Sequence, residues 1–362
     1  MLRIEKLLGA YKQMLHRYFK KNEAKLHIIN YLFWECTQRC QLNCRHCGSD
    51  CKTDASNKDM PLDDFLNAIR PLSKKYKKDT ITVILTGGEP TLRPDIAQCG
   101  LALRQAGFRW GIVTNGYQYT SEIHGLLLGA GMGSVTLSID GLEDTHNWMR
   151  GNAQSFSCAM RALRLIVSSS RLNYDVVTCV NQRNINQLPE LLSRLEAEKV
   201  KAWRLFTISP IGRAEHNNDM QLTSSQLRYL MDFIVEARKS KTIKVNFSCE
   251  AYLGDYELKA RDSLFFCRAG INIGSVLIDG SISACPNIHR SFAQGNIYTD
   301  NFLDIWENRY QVMRNRSWTK KGICGQCKAY CNCNGGAFHL MNNKRNASSV
   351  CIYNKIYATT IN

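Results

Sequence analysis

Five cysteines lie within eighteen residues near the start of the chain, in the stretch WECTQRCQLNCRHCGSDC at 34–51. Three of them, Cys40, Cys44 and Cys47, follow the spacing C-x3-C-x2-C, so one short loop supplies three thiolates. Structural zinc sites normally close with four ligands drawn from paired C-x2-C knuckles. Three thiolates suit a [4Fe–4S] cluster better and leave one iron open to a small molecule. The spacing therefore favours a catalytic iron–sulfur site.

Seven more of the 16 cysteines lie between residues 267 and 351, including a C-x2-C-x5-C run at 324–333. Such clustering indicates metal binding better than it indicates packing, and a reducing compartment disfavours disulfides. The longest uncharged apolar run has only 15 residues, GLLLGAGMGSVTLSI, and is broken by glycines. The N-terminus also lacks the uninterrupted apolar core of a signal peptide. We therefore expect a cytoplasmic protein.

The chain is basic, with a formal net charge of +16 over 362 residues. This charge favours an acidic partner or an anionic surface, although each metal-bound thiolate lowers the sum. Lysines and arginines are dispersed and no nucleic-acid-binding motif is present, so no nucleic acid is expected. Since 44% of the residues are hydrophobic, the chain can bury a normal core.

From about residue 30, short β-type runs alternate with amphipathic helical stretches. Strands are predicted at 31–36, 80–87, 109–116, 134–141, 174–181 and 201–208, and helices near 61–77, 94–106, 121–130, 155–169, 187–199 and 223–240. Six tandem βα units predict a parallel sheet, either open and doubly wound or closed as a barrel. In both folds the chemistry lies at the carboxyl ends of the strands, where the cysteine triplet, GGEP, TNG and SIDG fall.

Three regions are predicted. Residues 30–245 carry the βα units, and residues 246–362 form a small cysteine-rich domain too poor in apolar runs to fold without metal. Residues 1–29 form a basic amphipathic helix, which we expect to pack on the barrel rather than to bind a membrane surface or a partner. Its apolar positions are Ile4, Leu7, Leu8, Tyr11, Met14, Leu15 and Tyr18.

The cysteine triplet and the segments that follow it resemble the radical SAM superfamily over roughly residues 30–355. The resemblance implies a partial (β/α)6 TIM-type barrel in which Cys40, Cys44 and Cys47 hold the [4Fe–4S] cluster that binds S-adenosylmethionine. A member of the family transfers one electron to this sulfonium, breaks its C–S bond and forms methionine and a 5′-deoxyadenosyl radical. The radical then takes a hydrogen atom from the substrate, while the protein orients both and excludes water.

The same resemblance implies which residues contact S-adenosylmethionine. His46 fills the aromatic position before the third cysteine, near the adenine. The TGGEP segment at 86–90 matches the part that receives the methionyl amino group, with Glu89 facing an ammonium. The cofactor-lining positions are Gly87, Gly88, Glu89, Pro90, Asn115, Ser138 and Asp140. Arg150 and Arg213 are candidate partners for its carboxylate.

The C-terminal cysteines resemble the SPASM domain, which carries two auxiliary [4Fe–4S] clusters. The resemblance implies an outer cluster on Cys324, Cys327, Cys333 and Cys351. It implies an inner cluster on Cys267, Cys285 and a third cysteine at position 337, but that residue is Ala337. The inner cluster is therefore absent, uses Cys331, or keeps an open iron; a structural or zinc role for Cys267 and Cys285 stays open too. One or two auxiliary clusters are expected, and Cys249 is not assigned.

SPASM-type family members mostly modify ribosomally made peptides or proteins, by crosslinking, epimerisation or side-chain oxidation. We therefore expect a peptide or protein substrate, plausibly acidic, and an electron donor such as a flavodoxin or ferredoxin. Pro286, directly after Cys285, argues against the sulfatase-activating branch, which has an acidic residue there. Three alternatives remain: a small-molecule substrate, an iron–sulfur electron-transfer or redox-sensing protein, and a zinc-stabilised binding protein.

Overall fold

A computed structural model describes residues 2–215, 217–341 and 350–357, without the side chains of residues 2–7 and 218. The predicted apolar positions Ile4 and Leu7 thus lie outside the described side chains. Ten strands form one sheet in the order β10-β9-β8-β1-β2-β3-β4-β5-β6-β7. The strands are β1 Tyr31–Thr37, β2 Thr82–Gly87, β3 Arg109–Thr114, β4 Ser134–Ser138, β5 Asn173–Val180, β6 Ala202–Thr207, β7 Lys244–Phe247, β8 Ile273–Val276, β9 Ser281–Ser283 and β10 Gly295–Asn296.

Helices connect these strands and flank the sheet. They are α1 Leu2–Leu26, α2 Leu62–Lys75, α3 Ile96–Gln105, α4 Ser121–Gly129, α5 Glu143–Arg150, α6 Ser155–Ser168, α7 Leu188–Ala197, α8 Ser224–Ala237, α9 Phe302–Asn308, α10 Gln311–Arg314, α11 Tyr330–Cys333 and α12 Ile352–Tyr357. Local sequence explains several ends. Thr223 and Gln226 form a capping box at the start of α8, and Gly151 ends α5 in the left-handed conformation that glycine adopts most easily.

Strands β1 to β7 pair in parallel and in chain order. The six predicted strands and six predicted helices are all present, which confirms the α/β prediction. Strand β7 was not predicted, because KVNF is short and follows a polar loop. On its other side β1 pairs with the parallel strand β8, so β7 does not close the barrel. The barrel is therefore partial, as expected.

The sheet continues across the predicted domain boundary near 245. That position falls inside β7, and β8 from the C-terminal region lies beside β1 with Ile273 opposite Tyr31. Strand β9 then pairs antiparallel with β8, and β10 with β9. The division at 30–245 and 246–362 stays a prediction. What the topology establishes is that the cysteine-rich region is attached to the strand that leads into the cysteine triplet.

The hydrogen bonds of helix α1 run to residues of the C-terminal region, and its expected packing on the barrel stays a prediction. Its Gln13 Nε2 donates to Tyr252 Oη at 3.1 Å, His16 Nε2 lies 3.1 Å from the Phe265 carbonyl, and Lys20 Nζ donates to the Asn332 carbonyl at 2.7 Å. These partners belong to the C-terminal region. The apolar stripe remains largely exposed, at Leu8, Tyr11, Met14, Leu15 and Tyr18. Docking therefore uses polar contacts that an apolar periodicity does not reveal. Among the described residues, no helix is long and apolar enough to span a membrane.

Candidate active site and auxiliary cysteine sites

The cysteine triplet lies on the loop that follows β1. Cys40 and Cys44 are each only 7% exposed, and they form a small buried cluster with Leu42 and Cys51 against which Cys47 packs. The backbone N–H of Cys40 donates to the Lys52 carbonyl at 3.0 Å, which closes the loop at its base. The structure therefore brings together the three predicted ligands at the carboxyl edge of the sheet.

Arg213 fastens this loop from the segment after β6. Its Nε donates to the Cys44 carbonyl at 2.7 Å, and its Nη1 lies 3.0 Å from both the Cys51 carbonyl and Asp50 Oδ1. Its backbone N–H also donates to the Cys47 carbonyl at 3.0 Å. These contacts hold the cysteine loop in place, and the expected role of Arg213 as a partner for a cofactor carboxylate stays a prediction.

Each of the three sulfurs has a side-chain neighbour that donates to it. Asn115 Nδ2 lies 3.7 Å from Cys40 Sγ, and Arg150 Nη1 lies 3.7 Å from Cys44 Sγ. The hydrogen bond with the Cys51 thiol lowers the pKa of Cys47 to about 6, whereas burial raises the pKa of Cys40 to about 12. Hydrogen bonds to ligand sulfurs set the reduction potential of a cluster. Neighbouring side chains can therefore adjust the reduction potential of a cluster held by these three thiolates.

Asp140, at the end of β4, organises the side chains beside Cys44. Its Oδ2 lies 2.7 Å from Arg150 Nη2 and 3.8 Å from His46 Nε2, and its Oδ1 accepts from the Cys179 N–H at 2.9 Å. Burial alone would raise the pKa of Asp140, but Arg150, His46 and His146 together hold it below its ordinary value. Burial also lowers the pKa of His46 to about 4, so its imidazole is neutral near pH 7. Asp140 therefore orients Arg150, while His46 remains a neutral ring beside the triplet.

Glu89 joins the GGEP segment to the TNG segment. Its Oε1 accepts from the Thr91 N–H at 3.2 Å, Thr91 Oγ1 at 2.7 Å and Thr114 Oγ1 at 2.8 Å, while Oε2 accepts from the Asn115 N–H at 2.8 Å. Burial raises the pKa of this carboxyl, which is 1% exposed. Glu89 thereby positions Asn115, the donor to Cys40. This is a structural role in addition to the contact with an ammonium, which stays a prediction.

The two glycines of GGEP are explained by the neighbouring chain. A Cβ at Gly87 would collide with the Thr37 carbonyl, and one at Gly88 with the Arg39 carbonyl. The backbone N–H groups of Gly88 and Glu89 donate to these same carbonyls at 2.8 and 2.9 Å. The glycines therefore let the backbone at the end of β2 approach the start of the cysteine loop closely enough to form these hydrogen bonds. Pro90 begins a short 3-10 helix after Glu89, and Ser138 is the last residue of β4, half-buried.

Buried polar atoms without a hydrogen-bond partner gather around the triplet. They are both amide atoms of Gln41, Nδ1 of His46 and Nε of Arg150. A buried donor or acceptor is costly when unpaired, so such atoms mark where a polar ligand fits. The donor set and these atoms together fit an iron–sulfur cluster with a bound polar cofactor. Gln41 was not singled out in the sequence, where a glutamine between two cysteines gives no distinguishing signal.

The four predicted outer cysteines converge in the C-terminal region. Cys324, Cys327, Cys333 and Cys351 all line one cavity, together with Tyr330 and Tyr353. Nε of Arg316 is buried and unpartnered, and this guanidinium lies within electrostatic range of Cys324 and Cys333. Four converging thiols beside a half-buried cation fit the predicted outer cluster.

The remaining cysteines of the C-terminal region do not share that cavity. Cys267 is 8% exposed, Cys285 is half-buried and Ala337 is fully buried. Cys331 is exposed and, with Cys267, lines a second cavity of about 580 Å³ between α1 and the C-terminal region. Five cations border this cavity: Arg17, Lys20, Lys21, Arg314 and Arg316. It is thus basic and lies beside the auxiliary cysteines.

Family models match two parts of the chain. Residues 34–195 match the radical SAM superfamily, and residues 267–328 match SPASM, an iron–sulfur cluster-binding domain. This chain therefore contains a radical SAM domain and a SPASM domain. The cofactor prediction is confirmed at that level: a [4Fe–4S] cluster, S-adenosylmethionine and auxiliary iron–sulfur binding.

Curated relatives cover most of the chain at low identity. The AdoMet-dependent heme synthase of Methanosarcina barkeri is 24% identical over 343 residues, which are 88% of this chain and 95% of that protein. The mycofactocin maturase MftC of Mycobacterium tuberculosis is 28% identical over 313 residues, 84% of this chain and 77% of MftC. Among solved structures, Streptococcus suis SuiB bound to precursor peptide SuiA superposes with a TM-score of 0.67 at 16% identity, covering 95% of this chain and 80% of SuiB. The SuiB likeness confirms the fold.

Proposed function

We propose that this protein is a radical SAM enzyme that modifies a ribosomally made peptide or protein. The observation that carries the proposal is the SPASM region with its four converging outer thiols, attached to the barrel through β8. Similarity to a maturase, and a fold shared with a protein that binds a precursor peptide, support it. The modification is a crosslink, an epimerisation or a side-chain oxidation.

In this proposal Cys40, Cys44 and Cys47 hold the catalytic cluster. When the cluster and S-adenosylmethionine are bound, one-electron reduction breaks the sulfonium C–S bond and supplies a 5′-deoxyadenosyl radical for hydrogen abstraction. The protein's own residues orient the components. Asn115 and Arg150 donate to the sulfurs, and Asp140 holds Arg150 in place. The unpartnered Nδ1 of His46, together with Ser138 and the backbone of Gly87–Pro90, is proposed to contact the cofactor.

The basic cavity beside α1 supports an acidic substrate. Its five cations lie within one concavity of about 580 Å³, and a concave basic surface attracts carboxylates. Burial lowers the pKa of Lys20 to about 8, which an anionic ligand would reverse by favouring the charged ammonium. We propose that an acidic segment of the peptide binds here and that a flavodoxin or ferredoxin supplies the electron.

A small-molecule substrate is the second candidate, because the heme synthase relative is nearly as similar as MftC. Porphyrins with carboxylate side chains would also suit a basic cavity. The cavity therefore indicates an anionic substrate, and experiment must distinguish a peptide from a small molecule.

The substrate class is testable with the reconstituted, reduced enzyme and S-adenosylmethionine. One arm coexpresses the enzyme with each small open reading frame beside its gene and measures peptide masses; the other incubates it with iron coproporphyrin III. We expect a peptide product that lacks a pair of hydrogen atoms or, for epimerisation, carries solvent deuterium. The Cys40/Cys44/Cys47→Ala variant is the matched control and should give no product. Turnover of the porphyrin with no modified peptide would contradict the proposal.

A further inference from the structure

The inner auxiliary site lacks the cysteine that the family pattern places at 337, and the fold shows what lies there instead. Ala337 is fully buried, and its backbone N–H donates to the carbonyl of Glu250 at 2.9 Å. Position 337 is therefore held directly against the segment that follows β7. The sequence neighbour of Glu250 is Cys249. A thiol from the β7 end thus lies next to the position where a thiol is missing.

The Cys249 segment is fixed in place. Glu250 accepts from the N–H and the Oγ1 of Thr207 at 2.9 and 2.8 Å, which ties the end of β7 to the end of β6. Arg261 donates to the carbonyls of Ser248 and Ala251 at 3.1 and 2.6 Å and so clamps Cys249 from both sides. A cysteine held this way has little freedom to move, as a preorganised metal ligand requires.

Three thiols lie near one another here. Cys249 and Cys267 lie within electrostatic range of each other, and Cys285 lies within range of both. The Cys249 residue is exposed, and the protein around its thiol still raises the thiol pKa by desolvation.

The surroundings fit an anionic cluster. Arg261 Nε is a buried polar atom without a hydrogen-bond partner, and the Ser248 hydroxyl lies within hydrogen-bonding range of the Cys249 thiol. Arg261 is only 5% exposed and lies within electrostatic range of Cys249. Unpaired buried donors beside thiolates are what sulfide acceptors of an iron–sulfur cluster would satisfy.

Cys331 is the rival for the third position, since it lines the α1 cavity together with Cys267. Its thiol, however, lies 3.9 Å from the Lys328 carbonyl, near its own helix. It belongs to the same turn as the outer ligand Cys333, and residues two apart on a helix point in different directions. Its charged neighbour is Lys20 of α1.

We propose that Cys249 is the third thiolate of the inner auxiliary site, with Cys267 and Cys285, and that it replaces the cysteine missing at position 337. The site then holds an iron–sulfur cluster with three cysteine ligands, and one iron takes a ligand other than cysteine. Cys331 is not part of it. This assignment does not depend on which substrate the enzyme modifies.

The test counts metal and needs no turnover. In full-length protein carrying Cys40/Cys44/Cys47→Ala, anaerobic reconstitution should give about eight irons, four for each auxiliary cluster. Adding Cys249→Ala should lower this to about four, with Mössbauer spectra showing one intact outer cluster. Adding Cys331→Ala instead is the matched control and should leave about eight. Retention of the outer cluster shows that the variant has folded.

A rescue variant makes the assignment sharper. The backbone of residue 337 is hydrogen-bonded to residue 250, the neighbour of Cys249. Ala337→Cys should therefore restore about eight irons in the Cys249→Ala background. It also keeps the test decisive if Cys249→Ala alone does not fold. Loss of iron with Cys331→Ala, or full iron content with Cys249→Ala, would overturn the proposal.

Discussion

Replacing Arg150 with leucine should destabilise the protein by about 3–5 kcal/mol, because it leaves the buried carboxylate of Asp140 without its cation. Asp140 has no exposed surface and lies 2.7 Å from Arg150 Nη2. The same change removes the donor to Cys44 Sγ, so 5′-deoxyadenosine formation should fall roughly 10–100-fold. Thermal or denaturant unfolding and the rate of S-adenosylmethionine cleavage measure the two effects.

Two further variants separate the effect of breaking the buried ion pair on stability from the effect of losing any arginine. Arg164→Leu removes an exposed arginine that pairs with Glu198 and should cost no more than about 1 kcal/mol. Asp140→Asn combined with Arg150→Leu removes both charges and should be more stable than Arg150→Leu alone. An Arg150→Leu protein that unfolds at the midpoint of the parent would show that the pair does not stabilise the site.

Replacing Glu89 with alanine should have the second largest effect. The N–H groups of Thr91 and Asn115 lose their acceptor inside the protein, at about 1–3 kcal/mol for each buried group left unpaired. Asn115 is then no longer fixed beside Cys40, so the reconstituted cluster should lose iron faster in air than in the parent. Unfolding free energy and the rate of bleaching report the two consequences.

The control for Glu89 is Glu122→Ala, which removes an exposed carboxylate from the first turn of α4. Its expected cost is under about 1 kcal/mol, from a weaker interaction with the helix dipole alone. Glu89→Gln should be milder than Glu89→Ala, since the amide keeps the volume and one acceptor oxygen. Equal stability of Glu89→Ala and the parent would contradict the bridging role.

The sequence predicts the alternating strands and helices well, because buried parallel strands and amphipathic helices leave strong local patterns. It also predicts the three-cysteine loop and the four outer cysteines, since both follow fixed spacings. It does not predict the partners of Glu89, which include Thr114 and Asn115 at the end of the following strand. Nor does it assign Cys249, whose role depends on the 2.9 Å hydrogen bond between Ala337 and Glu250, far apart in the chain.

Helix α1 makes contacts that its apolar pattern does not reveal. Gln13, His16 and Lys20 contact the C-terminal region, and two of their partners are backbone carbonyls. Any residue offers a backbone carbonyl, so the sequence carries no signal for it. The contacts of Arg213 with loop carbonyls are not predictable for the same reason.

The central claim is that Cys40, Cys44 and Cys47 hold a cluster that cleaves S-adenosylmethionine. The most direct test compares anaerobically reconstituted parent with the Cys40/Cys44/Cys47→Ala variant, measuring iron, sulfide and 5′-deoxyadenosine after reduction. We predict about twelve irons in the parent and about eight in the variant, with 5′-deoxyadenosine formed only by the parent. Equal iron in both proteins, or no 5′-deoxyadenosine from a fully loaded and reduced parent, would contradict the claim.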